Sequence, residues 1–285
     1  MKQKTHKKRI LILGASGFLG NTIYKELLPY FDTYGTYHSS SSAFEDNQVM
    51  FSFDVEKDNI NIILEKTQPN IIISSLRGDF KAQLKVHQEI ANYTLAALDC
   101  KVIYLSTVNV FDGKGTFPSY ENDSVLAESD YGKFKISIEK LISNLPASKY
   151  LIARLPIVLG VNSPRINFLK EASKSNAEFE VFPNLIISIT TANKLSQQIH
   201  YIINQDLHGI FHLASNDVIH HFDLFEEISE KLELKNIVFK HNYTSNKDWY
   251  LALLPKYNLL PDNYQITIQQ VIEDSVLKEE IGSLK

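Results

Sequence analysis

Residues 9–20 read Arg-Ile-Leu-Ile-Leu-Gly-Ala-Ser-Gly-Phe-Leu-Gly, an apolar strand that runs straight into a Gly14-x-x-Gly17-x-x-Gly20 turn. The amphipathic run Asn21 to Tyr30 follows, which supplies the strand–turn–helix context that a dinucleotide-binding loop requires. Glycine at the first position permits the tight turn. At the second it lets backbone N–H groups approach a pyrophosphate, and at the third it lets the helix pack closely on the strand. The helix N-terminus then offers an anion site. Expected cofactor contacts in this loop are Gly14, Ser16, Gly17, Phe18, Leu19 and Gly20. The bland alternative is a glycine-rich strand–helix turn with no ligand.

Through the first half of the chain, short β-branched runs alternate with longer helical patterns, the signature of βαβ units and a mostly parallel sheet covered on both faces. Strands are predicted at 9–13, 33–37, 49–53, 70–75, 101–106 and 150–155, and helices at 18–28, 57–67, 80–98 and 130–145. Right-handed crossovers make this an α/β, doubly wound parallel sheet, a Rossmann fold. After Pro156 the rhythm loosens into Gly160-Val-Asn-Ser-Pro164, a helix near 167–175 and a strand-like run at 185–189. A helix at 191–204, a strand at 209–214, a helix at 222–232 and a poorly patterned C-terminus complete the chain. The expected division is a dinucleotide-binding domain over residues 1–160, with additions from about 191–215, and a smaller, discontinuous substrate-binding domain mainly over 161–285.

With 285 residues and 44% hydrophobic content the chain can bury a full core, and its net charge of -4 provides no basic field to attract nucleic acid or anionic lipid. No run approaches the roughly 18 apolar residues of a membrane helix, so neither nucleic acid nor a membrane is an expected partner. The basic opening Met-Lys-Gln-Lys-Thr-His-Lys-Lys-Arg reads as a solvated tail, because the apolar run behind it is too short for a signal peptide. A single cysteine, Cys100, allows no intrachain disulfide and suits a reducing cytoplasm. No Cys/His cluster has zinc-ligand spacing, and the pair His220-His221 lacks a third ligand nearby, so no metal is expected.

Tyr131-Gly-Lys-Phe-Lys135 puts a phenol and an ammonium on one face of a helix. A phenol with pKa near 10 is a poor proton donor or acceptor at neutral pH unless a nearby cation favours phenolate, and Lys135 can supply that charge. Alone, such a pair is more often solvated helix surface. The fifth strand, however, ends in Leu105-Ser106-Thr107, and the carboxyl ends of parallel strands are where sites form, so the Thr107 hydroxyl can point at the same crevice. Its bland reading is a strand-end cap.

The glycine loop, Ser106-Thr107-Val-Asn-Val-Phe-Asp-Gly113, Glu128-Ser-Asp-Tyr131-Gly-Lys-Phe-Lys135 and Arg154-Leu-Pro-Ile-Val-Leu-Gly160 occur in the order found in extended short-chain dehydrogenase/reductases. Val110-Phe-Asp-Gly113, Gly35-Thr-Tyr-His-Ser39 and Gly209-Ile-Phe-His-Leu-Ala214 narrow the likeness, and over about residues 9–235 the chain resembles the dTDP-4-dehydrorhamnose reductases. That resemblance implies a nucleotide-linked keto-sugar, or another small carbonyl compound, as substrate. It implies that Thr107 bonds the carbonyl, Tyr131 donates the proton, and Lys135 holds the nicotinamide ribose and lowers the tyrosine pKa. It also implies that Asp54 and Val55 meet the adenine and that Ser74, Ser75 and Leu76 line the cofactor. A homodimer is compatible with it.

Some positions depart from the family pattern. Val108-Asn109 stands where the family has an aspartate and a tyrosine, His87 replaces a helix asparagine, and Ser74-Ser-Leu-Arg77-Gly-Asp79 replaces a small-residue run. Arg77, His87, Asn109 and Arg165 are the candidate substrate contacts. For Arg77 an exposed loop arginine, and for His87 a space-filling helix histidine, are the competing readings. At the end of the second strand Tyr37-His38-Ser39-Ser40 has no carboxylate to repel a 2′-phosphate, and His38 and Ser39 can donate to one, so NADP(H) is favoured over NAD(H). Two further classes stay open on the same scaffold, a sugar-nucleotide epimerase and a non-catalytic NADP-binding regulatory subunit. Dehydration is disfavoured, since Val108-Asn109 provides no acid.

Overall fold

β1 (Arg9–Leu13) is four branched or leucine side chains behind an arginine, and both of its faces are covered. In the computed structural model, which describes residues 7–38, 47–243 and 245–278, it is followed by α1 (Phe18–Leu27), β2 (Asp32–Tyr37), β3 (Met50–Ser52), α2 (Ile60–Thr67), β4 (Ile71–Ser74), α3 (Phe80–Ala96) and β5 (Lys101–Thr107). Next come α4 (Asp130–Ser143), β6 (Tyr150–Leu155), β7 (Ile157–Leu159), α5 (Pro164–Ser175), β8 (Glu178–Val181), β9 (Leu185–Ile187), β10 (Ile189–Thr191) and α6 (Ala192–Asn204). The remainder is β11 (Gly209–His212), β12 (Ile219–His220), α7 (His221–Lys231), β13 (Val238–His241), β14 (Trp249–Leu251) and α8 (Ile268–Ser275). The start of the basic tail and the serine run that includes Ser39 lie outside the described residues.

Among the described residues, seven strands form one sheet in the order β11-β6-β5-β4-β1-β2-β3. Pairing is parallel between β1 and β2, β1 and β4, β2 and β3, and β4 and β5. The order reverses between β1 and β4, the switch point of a doubly wound sheet. Three small sheets accompany it, β10-β7, β12-β9-β14 and β13-β8. No helix among the described residues is long and apolar enough to cross a membrane.

By its internal packing the chain divides into two compact units. The first comprises Met1–Ser106, Phe134–Ala153 and Ile199–Ile210, and the second Thr107–Lys133, Arg154–Gln198 and Phe211–Lys285. In the first unit, Leu11, Leu13, Ile72, Val102, Tyr104 and Ile152 project from the strands onto Ile60, Leu64, Val86, Ile90, Ile138 and Ile142 of the helices, each strand contributing alternate residues as its pleat requires. Lys149 ends α3 from a distance: its Nζ donates to the carbonyls of Thr94 at 2.8 Å, Leu95 at 3.3 Å and Ala97 at 2.5 Å, where the helix leaves acceptors open.

The second unit has its own core of Leu159, Ile166, Leu169, Phe179, Ile187, Leu224, Phe225, Ile228, Val271 and Ile272. Three sequence expectations change here. The run 185–189 is two strands broken at Ser188, because β9 pairs with β12 and β14 while β10 pairs with β7. α5 starts at Pro164 rather than near 167, with Ser163 capping Ile166 N and proline in the first turn. The weakly patterned C-terminus is ordered as β13, β14 and α8, the last closed by a Thr267/Gln270 capping box.

Phe225 is fully buried, with its ring 4.9 Å from Phe179 and 4.9 Å from His221. Phe225→Ala is expected to cost about 3–5 kcal/mol by lost transfer energy and a residual cavity, read as a lower urea midpoint for the second unit.

Candidate functional site

In the first unit the glycine loop leaves β1 with Gly14 at φ +79°, and a Cβ there would lie 2.9 Å from the Ser75 carbonyl oxygen. The Gly14 N–H donates to Thr36 Oγ1 at 2.9 Å, and the Ser75 hydroxyl donates to the Leu13 carbonyl at 2.8 Å. A Cβ on Gly20 would come 2.2 Å from the Gly14 carbonyl oxygen, so α1 can begin here only without a side chain at that position. On Gly17 the nearest neighbour would be 3.4 Å away. Gly17 is the N-cap and offers no side-chain bond to the first-turn N–H groups, which with the helix dipole makes this end suited to an anion. Ser16, Phe18 and Leu19 are half-buried around it. Both this loop and the 75–78 segment follow strands at the switch point, where such sheets take ligands.

At the ends of β2 and β3, His38 is exposed and its Nε2 stands 3.6 Å from Asp54 Oδ2. Lys57 Nζ donates to the same carboxylate at 2.8 Å, and that bond, with one from Glu56 N, holds the Asp54 carboxyl below its usual range. Val55 and Leu76 are partly buried against the core. Ser74 is turned inward, to His87 Nε2 at 2.8 Å, while His87 Nδ1 meets the Gln83 carbonyl at 2.6 Å. A carbonyl only accepts, so Nδ1 is assigned the proton and Nε2 accepts from Ser74. His87 is 1% exposed between α3 and β5, and burial pushes its pKa down to about 4. Arg77 is exposed on the loop after β4.

The second unit carries Thr107 and Tyr131. After β5 the chain turns through Val108–Phe111, and the Thr107 hydroxyl donates to Asn109 Oδ1 at 3.0 Å while accepting from Asn109 N at 3.3 Å. A Cβ on Gly132 would fall 2.3 Å from the Asn109 carbonyl oxygen, so the glycine after Tyr131 lets the first turn of α4 lie against the Thr107–Asn109 turn. Asp112 fixes the approach to that helix, accepting from Glu128 N at 2.6 Å and from the Ser129 hydroxyl, whose oxygen caps Gly132 N at 3.0 Å. Tyr131 is 42% exposed.

Lys135, one turn further along α4, belongs to the first unit. Its Nζ donates to the Leu105 carbonyl at 2.9 Å and lies 4.5 Å from the centre of the Tyr104 ring. Burial pushes its pKa down to about 8, the Glu139 charge raising it and the Arg77 charge lowering it further. Glu139 is a residue the sequence reading passed over, although its place four residues beyond Lys135 was legible as the same helix face. Thr36, which receives the Gly14 N–H, carried no local signal at all.

Arg165 is exposed in the first turn of α5, and its charge, after burial, depresses the neighbouring imidazole of His221, whose pKa falls to about 4. Of the candidate substrate contacts, Arg77 and His87 belong to the first unit and Asn109 and Arg165 to the second. A separate cavity of about 420 Å³ in the second unit is lined by Phe182, Asn184, Leu185, Asn242, Ser245 and Trp249. Among the described residues no group of three or more His, Cys, Asp or Glu side chains could hold a metal.

The family model described as the RmlD substrate binding domain matches residues 8–248. The chain belongs to this family. Among curated relatives, methionine adenosyltransferase 2 subunit beta of Danio rerio is 25% identical over 252 residues, covering 81% of this chain and 76% of the relative; that of Bos taurus is 22% identical over 255 residues, covering 80% and 73%. This RmlD-type chain also resembles the dTDP-4-dehydrorhamnose reductase of Bacillus anthracis solved in complex with NADP, at TM-score 0.74 and 20% identity over 94% of this chain and 98% of that one. The reductase of Clostridium acetobutylicum gives 0.71 and 21% over 93% and 98%. Bordetella bronchiseptica WbmH in complex with NAD+ gives 0.79 and 16% over 94% and 96%. At these identities the solved structures establish a shared fold.

Gly20→Ala is expected to lower unfolding free energy by more than about 2 kcal/mol through backbone collision, whereas Gly17→Ala costs about 1 kcal/mol or less, both read by urea denaturation. Three buried imidazoles, His87 at about 4, His212 at about 3 and His221 at about 4, lie below their usual 6.5. Each contributes stability that is full above about 6.5 and is lost as pH falls toward the folded value, by about 1.4 kcal/mol per pH unit spanned. Urea midpoints measured at neutral pH and near pH 5 should therefore fall steeply on the acid side, and His87→Gln should flatten the loss in the first unit.

Proposed function

We propose that this chain is an NAD(P)H-dependent reductase of a nucleotide-linked keto-sugar, working as a dTDP-4-dehydrorhamnose reductase does. The observation that carries this reading is Lys135, a buried ammonium held by the Leu105 carbonyl one turn from an exposed Tyr131 on the same helix. Gly14 and Gly20 form a cradle that a Cβ would fill, which fits a dinucleotide pyrophosphate at the start of α1. Asp54 and Val55 would meet the adenine, and Lys135 the nicotinamide ribose. Tyr37 and His38 bring no carboxylate to a 2′-phosphate, which favours NADP(H) over NAD(H).

When bound, the reduced nicotinamide supplies the hydride. Tyr131 gives its phenolic proton to the carbonyl oxygen as negative charge develops there. Thr107 donates a hydrogen bond to the same oxygen after its hydroxyl turns away from Asn109 Oδ1. The Lys135 ammonium lowers the cost of the tyrosinate that remains, so cationic and donor groups face the point where charge appears. Val108 and Asn109 supply no carboxylic acid for dehydration.

A second reading, a nucleotide-holding subunit of another enzyme, is favoured by the curated relatives, which are named as subunits, and by the bond that occupies the Thr107 hydroxyl.

The deciding assay follows oxidation of NADPH and NADH at the nicotinamide absorbance with a dTDP-4-keto-6-deoxysugar generated in place. Tyr131→Phe is expected to lower turnover by at least about 100-fold while leaving NADPH binding intact. Saturable NADPH binding with no turnover on any keto-sugar would instead support the subunit reading.

A further inference from the structure

A carboxylate lies in the interior of the first unit. Glu139 is 5% exposed, on the turn of α4 beyond Lys135, which is itself 7% exposed. A carboxylate kept from water is tolerated only where it is paired and hydrogen-bonded. The Ser106 hydroxyl donates to Glu139 Oε1 at 2.5 Å. Ser106 directly follows Leu105, whose carbonyl receives Lys135 Nζ at 2.9 Å. Successive residues at the end of β5 thus hold successive turns of α4, a carbonyl on the ammonium and a hydroxyl on the carboxylate.

Among the described residues, groups from several elements act on Lys135. On its own helix is Glu139. β5 contributes the face of Tyr104 at 4.5 Å. The loop after β4 brings Arg77, whose positive charge opposes the ammonium, and α3 brings the imidazole of His87, which the lysine charge helps to keep neutral. Glu139 brings a carboxylate, and without it burial and Arg77 act together against the charged form.

We propose that Glu139 is a positioning residue: its carboxylate keeps Lys135 cationic in the buried gap between β5 and α4 and, through Ser106, sets the helix against the end of that strand. The proposal rests on the reductase reading for the task of Lys135, but its test does not.

The full chain is labelled with [ε-13C]lysine, the Lys135 resonance is assigned by its loss in Lys135→Met, and that resonance is titrated by NMR. The midpoint is expected at about 8 in the unaltered protein, and at about 7 or below in Glu139→Gln, which keeps the shape and an acceptor for Ser106 but removes the charge. Where turnover is measured, the alkaline limb of kcat moves down with it, since the cation is lost at lower pH. A folded Glu139→Gln with an unmoved Lys135 midpoint overturns the proposal. If that variant does not fold, Glu139→Asp, with its carboxylate drawn back by one methylene, is expected to give an intermediate midpoint, and an unchanged midpoint there overturns it equally. Because the resonance needs no turnover, absence of reductase activity leaves the Glu139 result readable; turnover with an unmoved midpoint removes only the role given to Glu139.

Discussion

Two backbone approaches, each possible only where a side chain is missing, set the functional end of this fold. A Cβ at Gly20 would meet the Gly14 carbonyl oxygen at 2.2 Å, and one at Gly132 would meet the Asn109 carbonyl oxygen at 2.3 Å. The first decides how closely α1 can start against the end of β1, and so whether the first-turn N–H groups face the crevice at the sheet's switch point. The second decides how closely the first turn of α4 lies on the turn that carries Thr107. Neither approach is driven by an attraction strong enough to name. Both are permissions, and hydrogen bonds then fill the space they allow: Gly14 N to Thr36, Gly132 N to Ser129.

Buried charge does the complementary work. In the second unit Arg154, 3% exposed, donates to the Glu121 carbonyl at 3.2 Å and stands 4.9 Å from the Phe111 ring centre. The Glu121 carboxylate accepts from the backbone N–H groups of Lys256 and Tyr257. Such groups are tolerable in an interior only when their partners are fixed, which makes them good devices for tying a turn to a segment far away in sequence. Arg154 thus joins Phe111 of the 108–111 turn to Glu121, and the Glu121 carboxylate joins that stretch to the segment at 256–257.

Much of this was legible in the residues. β1 falls where its apolar run ends, because a strand buried on both faces shows as a near-continuous run, and β6 follows the same pattern with Arg154 as its one interruption. The glycine spacing marks the loop, and Tyr131 and Lys135 share a helix face by simple periodicity. What stayed hidden depends on tertiary pairing. The run 185–189 has one apolar pattern but serves two sheets, and nothing local marks the change at Ser188. For His87 a space-filling helix histidine was already a competing reading, but the groups that take its two nitrogens, the Ser74 hydroxyl and the Gln83 carbonyl, follow only from tertiary placement. The Thr267-x-x-Gln270 box before α8 was a readable start signal, masked by the poor patterning around it.

The break at Ser188 has a consequence for how the second unit can vary. Ser188 is fully buried, and its hydroxyl receives the N–H of Leu253, just beyond β14. The residue on one side pairs antiparallel with β12 and parallel with β14, while the residue on the other starts a parallel pair with β7. One extended segment therefore belongs to two sheets whose registers are set independently. A residue inserted within β9 would shift that strand against β12 and β14, whereas one inserted at Ser188 has to be taken up at the joint for β10 to keep its pairing with β7. The short segment behaves as a mechanical coupling with a keyed joint, and the key is a single hydroxyl.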